Sequence, residues 1–177
     1  MESKSLGALV HDPEDDAYRS KPVEIPALGN SLCTFVFYEL DEETTEFPEK
    51  FDKAIENFLA LPPDWFQCAS QYLREYYRDT VDQIGVENAT LIPEDADIFD
   101  HVELGSEVLI SWDFDEKDVF VSIESECDWE IEHGLQITIR HGNQLARVGD
   151  CDGHLTNADA FDRDDFHDVI YVKQDML

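Results

Sequence analysis

At Gly85 the hydrophobic rhythm of the chain changes period. Upstream, Phe47, Phe51, Ile55, Phe58 and Leu59 recur at spacings of three and four, and a second segment does the same with Trp65, Phe66, Ala69, Tyr72, Leu73, Tyr76 and Tyr77, continuing to Val81 and Ile84. Such spacing collects apolar side chains on one stripe of a helix. Thr45 with Pro48 signals a start, Pro62-Pro63 a stop between the segments, and Gly85 an end, so residues 47–85 are expected to form a helical hairpin. Downstream the period is two. Glu107–Phe114 and Asp118–Ser125 read as strands joined by the acidic turn Asp115-Glu-Lys-Asp118. Val119, Val121 and Ile123 alternate with Phe120, Ser122 and Glu124, as a sheet with one wetter face requires. Leu135–Arg140 and Gln144–Val148 flank His141-Gly-Asn143, a hairpin signal because Gly and Asn tolerate positive φ. Before the helices, Leu32–Leu40 is aromatic and β-branched and ends in the polar run Asp41–Glu46; it reads as a buried strand. Val169–Val172 is a candidate edge strand.

These elements predict an α+β fold, an antiparallel sheet (a meander with hairpins) covered on one face by the helical hairpin. The chain is read as one domain over residues 1–177, with an irregular acidic, proline-broken segment at 1–30, the helical hairpin at 47–85 and the strand meander at 104–150.

Charge decides which partners are excluded. The 177 residues carry 42 Asp or Glu against 12 Lys or Arg, a formal net charge of −30. Phosphate backbones and acidic bilayers repel such a chain, and no basic run offers a local exception, so neither nucleic acid nor membrane is expected as a partner. With 42% apolar and 11% aromatic residues a core can still form. No stretch of eighteen apolar residues exists and Met1-Glu-Ser-Lys-Ser5 lacks the layout of a signal peptide, so a soluble, cytoplasmic protein is expected. Cys33, Cys68, Cys127 and Cys151 form no CxxC pair and are expected as free thiols. Three readings of the acidic surface compete: a solvated face without a partner, adaptation to high salt, for which scarce lysine speaks, and complementarity to a strongly basic protein.

The densest polar constellation is Cys127-Asp-Trp-Glu-Ile-Glu-His-Gly-Leu135, followed after the hairpin by Gly149-Asp-Cys-Asp-Gly-His-Leu-Thr-Asn-Ala-Asp-Ala-Phe161. The hairpin should bring Glu132 and His133 near Asp150, Asp152 and His154. Cys127, His133, Cys151 and His154 are a zinc set by ligand type, but not by spacing, since structural zinc takes ligands in close pairs and Cys127 and His133 are six apart. Asp150, Asp152 and Gly153 suggest a hard-cation loop without the remaining acidic positions that calcium needs. Glu132, His133, Asp152 and His154 could transfer protons, yet no nucleophile elbow, phosphate loop or HExxH accompanies them. No catalytic residue and no cofactor is therefore assigned.

The two runs, written CDWE-x-EHGLQ and DGHLTNADA, resemble an uncharacterised bacterial domain-of-unknown-function family. Asp12-Pro13, Tyr18–Pro26 and Ile55–Leu61 are similar to it as well, so the resemblance covers residues 10 to 162. Members look like accessory proteins encoded near polymorphic toxins, which implies a toxin-neutralising role. The expectation that follows is an immunity-type inhibitor occupying the basic surface of a protein toxin. Its partner-binding residues would be Asp128, Trp129, Glu130, Glu132, His133, Asp150, Asp152 and His154, with aromatic anchoring at the centre. The alternatives are a small metal- or ligand-binding domain built on Cys127, His133, Cys151 and His154, and a salt-adapted domain with no dedicated partner.

Overall fold

The computed structural model describes residues 1–38, 40, 48–114 and 117–177. Thr45, Phe47, the run 41–46 and the turn residues Asp115 and Glu116 lie outside the described residues. The fold is α+β. In chain order the elements are β1 (Glu2–Ser3), β2 (Gly7–Ala8), β3 (Val10–Asp12), β4 (Ala17–Arg19), β5 (Val23–Ile25), β6 (Ser31–Phe37), α1 (Glu49–Leu59), α2 (Ser70–Ile84), β7 (Val102–Leu104), β8 (Glu107–Asp113), β9 (Asp118–Cys127), β10 (Leu135–Arg140), β11 (Gln144–Gly149) and α3 (Asn157–Phe161). They form two compact units, the first of Met1–Trp65, Gly105–Ile123 and Ile139–Gln144, the second of Phe66–Leu104, Glu124–Thr138 and Leu145–Leu177. The two long helices fall one in each unit.

In the first unit the N-terminal stretch is less irregular than its prolines predict. Pro13, Pro22 and Pro26 limit strand length rather than forbid strands: three pieces of two or three residues form before Pro13 and two more, of three residues each, between the prolines. β1 pairs with β2, and β3, β4, β6, β8 and the first half of β9 lie side by side, with β5 also on β6. All of these pairings are antiparallel except one: β6 and β8 run parallel, with Phe35 opposite Val108. The all-antiparallel expectation fails there because the connection between these strands is long enough to return the chain to the same end of the sheet. Val119 to Ile123 of β9 are buried on both faces, Phe120 and Ser122 included, so the predicted wetter face begins only at Glu124.

α1 explains its own stripe. Phe58 meets Phe35 edge-on at 6.2 Å between centroids, and Phe51 stacks with Phe37 at 6.1 Å. On the same helix Asp52 is buried, and its carboxylate accepts from Ser3 Oγ at 2.6 Å and from the backbone N–H groups of Lys4 and Ser5 at 3.2 Å. A buried charge is tolerable only with such partners, and these fasten the β1–β2 pair. The loop between β10 and β11 takes positive φ at His141 (53°) and Gly142 (74°), not at Asn143. Two contacts hold the histidine in that conformation: its Nε2 lies 2.9 Å from Asp118 Oδ1, and its backbone N–H donates to the Val119 carbonyl at 2.8 Å. Gly142 backs directly onto α1: a Cβ there would stand 1.9 Å from the Ala54 carbonyl oxygen. Gly142→Ala should therefore cost at least about 3 kcal/mol, since both φ and a backbone clash oppose it. A urea-denaturation midpoint within error of the parent would contradict this packing.

In the second unit the last residues of β9 pair with β7 on one side, Val102 opposite Cys127 and Glu103 opposite Glu126, while β10 and then β11 lie on the other. α2 turns Tyr76 and Tyr77 toward Trp129, with ring centroids 6.0 and 6.1 Å apart. Val169–Val172 does not form a strand. Its backbone is held instead at separate points: Ile170 accepts from the Val148 N–H at 2.8 Å, and Asn157 Nδ2 donates to the carbonyls of Val169 and Ile170. No described helix is long and apolar enough to cross a membrane.

Candidate binding face

Two loops of the second unit carry the residues that the sequence singles out. The first, residues 128–134, is a turn that closes on its own side chains. Glu130 Oε1 accepts the backbone N–H groups of Glu132 and His133 at 3.1 and 3.2 Å, and Cys127 Sγ reaches the Glu130 carbonyl at 3.7 Å. Asp128 Oδ2 lies 2.8 Å from His101 Nδ1. Gly134, at φ 69°, is required because a Cβ would fall 2.8 Å from the Ser125 carbonyl oxygen; its own carbonyl accepts the Tyr76 hydroxyl at 2.9 Å.

The second loop, residues 149–156, is built around Arg147. This guanidinium is only 3% exposed as a residue, and it uses its donors inward. Nε donates to Asn157 Oδ1 at 3.0 Å, and one terminal nitrogen donates to Gln136 Oε1 and to the carbonyls of Asp150 and His154 at 3.1 to 3.3 Å. The other donates to Asp152 Oδ2 at 2.7 Å. Thr156 then caps α3 by accepting the Asp159 N–H, and His154 Nδ1 sits 2.7 Å from Asp159 Oδ2. A backbone bond from Cys151 N–H to the His133 carbonyl, 3.3 Å, joins the two loops.

The arrangement brings Glu130, His133, Asp150 and Asp152 to one cleft of about 370 Å³, walled also by Tyr76, Arg147 and Tyr171. On the other side of the turn, Asp128 and Glu130 border a groove of about 630 Å³ with Asp100, Glu103, Glu126 and Ile131. Glu132 is exposed and His154 half-buried, and neither lines these recesses. Trp129 has to be withdrawn as a surface anchor: at 4% exposure its ring is spent on Tyr76 and Tyr77. Its Nε1–H is buried without a hydrogen-bond partner among the described residues.

The four residues of the zinc alternative make contacts of their own. Among the described residues no three His, Cys, Asp or Glu side chains are placed to hold a metal ion. Cys127 and His133 both meet Glu130, at its carbonyl and its carboxylate, while His154 lies against Asp159 and Cys151 toward Glu124.

Burial sets the proton affinities of the thiols and phenols. Desolvation pushes the Cys127 thiol up to about 11, and desolvation followed by the Glu124 charge pushes Cys151 up to about 11, both from 9.0. Tyr76 is raised by desolvation and the nearby Asp150 carboxylate, Tyr171 by desolvation and the Asp79 charge. All four groups stay neutral in the folded protein at pH values where the unfolded chain already ionises: the thiol contribution is complete below pH 9 and is lost between pH 9 and about 11, and the phenol contribution is complete below pH 10 and declines as pH rises above it. The urea midpoint should fall steadily from pH 9 to 11. A flat profile would contradict the burial of these groups.

Sequence reasoning missed Arg147, Gln136 and Asn157, which organise the second loop, and Tyr171, which closes the cleft. It also missed Asp100, Glu103 and Glu126. The available signal was Arg147 itself, a cation set among Leu145, Ala146 and Val148 in a chain with twelve.

No curated protein and no solved structure matches the chain. The sequence profile of DUF6985, described as a domain of unknown function, matches residues 5–155, which takes in most of both units and the two loops just described up to Leu155. The chain therefore belongs to the DUF6985 family.

Proposed function

We propose that this protein is a binding protein of the immunity type, which uses the exposed side of the 128–133 turn to occupy the basic surface of a protein partner in the cytoplasm, a toxin being the expected class. One observation carries the reading: among the described residues the two recesses flanking that turn are lined by seven carboxylates, Asp100, Glu103, Glu126, Asp128, Glu130, Asp150 and Asp152, and the one Lys or Arg lining either is Arg147, which is buried and fully engaged. Opposed potentials of this kind speed encounter and reject wrong partners. Acidity alone would not single out this face. The second unit holds 22 acidic and 5 basic residues, net −17, and the first 20 and 7, net −13, so the excess is shared. The cavity of about 420 Å³ in the first unit, by contrast, is lined by two lysines, Lys50 and Lys53, and one carboxylate, Asp118. What distinguishes the face is uncompensated charge around Ile131, an apolar side chain 89% exposed, which supplies the apolar contact that Trp129 cannot.

The test is affinity capture from the native host with the parent protein and with Glu126→Lys/Asp128→Lys. The parent should enrich a protein of pI above about 9 at low salt and lose it at about 0.5 M salt, and the double variant should not capture it. Capture of nothing basic, or equal capture by the variant, would overturn the proposal.

A further inference from the structure

We infer that the cleft between α2 and the 149–156 loop is a receptor for a single guanidinium or ammonium group, held by the ring of Tyr171, which the buried Tyr76 backs, together with the carboxylates of Asp150 and Glu130. The inference rests on the reading above and narrows it to one cleft and one chemical group.

Four features of the cleft agree on this ligand. Its volume, about 370 Å³, lies in the range of small-molecule sites and is ample for one arginine or lysine side chain. Two aromatic rings meet in its wall, Tyr76 and Tyr171, with centroids 5.9 Å apart and planes inclined at 45°. A cation within about 6 Å of such a ring is attracted by its quadrupole. The hydroxyls of both tyrosines are already tied, Tyr76 to the Gly134 carbonyl at 2.9 Å and Tyr171 to Asp79 at 3.0 Å, so neither is free to donate to a ligand; Tyr76 is buried and backs the half-buried Tyr171, whose ring is the one a ligand can meet. Finally, the charges do not cancel. Arg147 is neutralised within the wall by Asp152 at 2.7 Å, which leaves Asp150, exposed, and the second oxygen of Glu130 without a cation among the described residues. An anionic ligand would meet these two carboxylates, and a neutral one would leave them unmatched; a planar cation answers both the ring and the charges.

The floor of the cleft is preorganised. Asp79 accepts from Tyr171 Oη and from the Gln174 N–H at 3.0 Å, and Lys173 pairs with Glu75 at 2.9 Å, so the segment carrying Tyr171 is held against α2 before any ligand arrives. A preformed site avoids the cost of ordering on binding.

Agmatine, the side chain of arginine without its carboxylate, is the probe, titrated into the full chain and followed by amide chemical shifts and Trp129 fluorescence. Shifts should concentrate at Tyr76, Gly149–His154 and Tyr171–Gln174. Asp150→Asn and Tyr171→Leu should each weaken agmatine by about tenfold, Tyr171→Phe by less than about threefold, and Glu103→Gln, in the neighbouring groove, by less than about twofold. Shifts spread over the whole acidic surface, or equal weakening by Glu103→Gln, would show counterion attraction only and overturn the inference. So would unchanged affinity in Asp150→Asn and Tyr171→Leu. If agmatine binding fails while the basic protein is still captured, the cleft assignment falls and the broader proposal stands; if agmatine binds as described and no basic protein is captured, the reverse holds.

Discussion

Replacing Arg147 by alanine should lower the stability of the protein by about 3 to 5 kcal/mol, the range seen when one member of a buried ion pair is removed. The reason is the number of groups left without a partner. Gln136 and Asn157 are each 2% exposed and would lose the donor that satisfies them, and the carbonyls of Asp150 and His154 would lose theirs in the same step. Asp152 contributes less, because its side chain is about a third exposed and can rehydrate. Arg147→Lys should recover less than half of the loss. An ammonium on a flexible stem offers three donors from one point and cannot reach Asn157, Gln136 and Asp152 together. The measurement is guanidinium denaturation of the three proteins. A loss below about 1 kcal/mol for the alanine variant would mean that the 149–156 loop is held by something other than this guanidinium.

The second large effect is expected at Trp129. Truncation to alanine should cost about 3 to 5 kcal/mol, because an indole packed on two tyrosines leaves a cavity that the turn cannot close. Trp129→Phe should cost much less, about 1.5 kcal/mol or below, since the indole Nε1–H has no acceptor among the described residues and its removal relieves a buried unpaired donor. The same pair of variants separates a core role from a contact role. Trp129→Phe should leave capture of a basic partner unchanged, whereas Ile131→Asp should reduce it while hardly affecting stability, because Ile131 is almost wholly exposed. A Trp129→Phe variant that folds normally and loses its partner would restore the tryptophan as an anchor and contradict the burial argument.

Much of the framework was legible in the chain because it depends on local rules. The stripes of α1 and α2, the stops at Pro62-Pro63 and Gly85, the strands around residues 107–127 and the β10–β11 turn all follow from periodicity and from residues that favour or forbid particular φ values. What was not legible depends on contacts distant in sequence. Nothing near Phe35 announces that it pairs in parallel with Val108. Nothing in Val169–Val172 shows that Asn157 and Val148 hold its backbone at single points instead of along a ladder. By sequence the two signature runs suggest a binding surface because they concentrate polar residues. In the fold, much of that polarity is turned inward: Asp152 and Asn157 serve Arg147, Thr156 and Asp159 serve the start of α3, and Glu130 closes its own turn. The face left outward is drawn partly from residues with no motif at all, Asp100, Glu103 and Glu126 among them.

That outward face is the central claim, and a photo-crosslinking residue at position 131 tests it most directly. Placed there in the native host and irradiated, it should give one predominant adduct with a basic protein, abolished by Glu126→Lys/Asp128→Lys and absent when the crosslinker is moved to the exposed Val10 of the first unit. No adduct at position 131, or the same adducts from both positions, would mean that the uncompensated carboxylates around the turn meet only solvent.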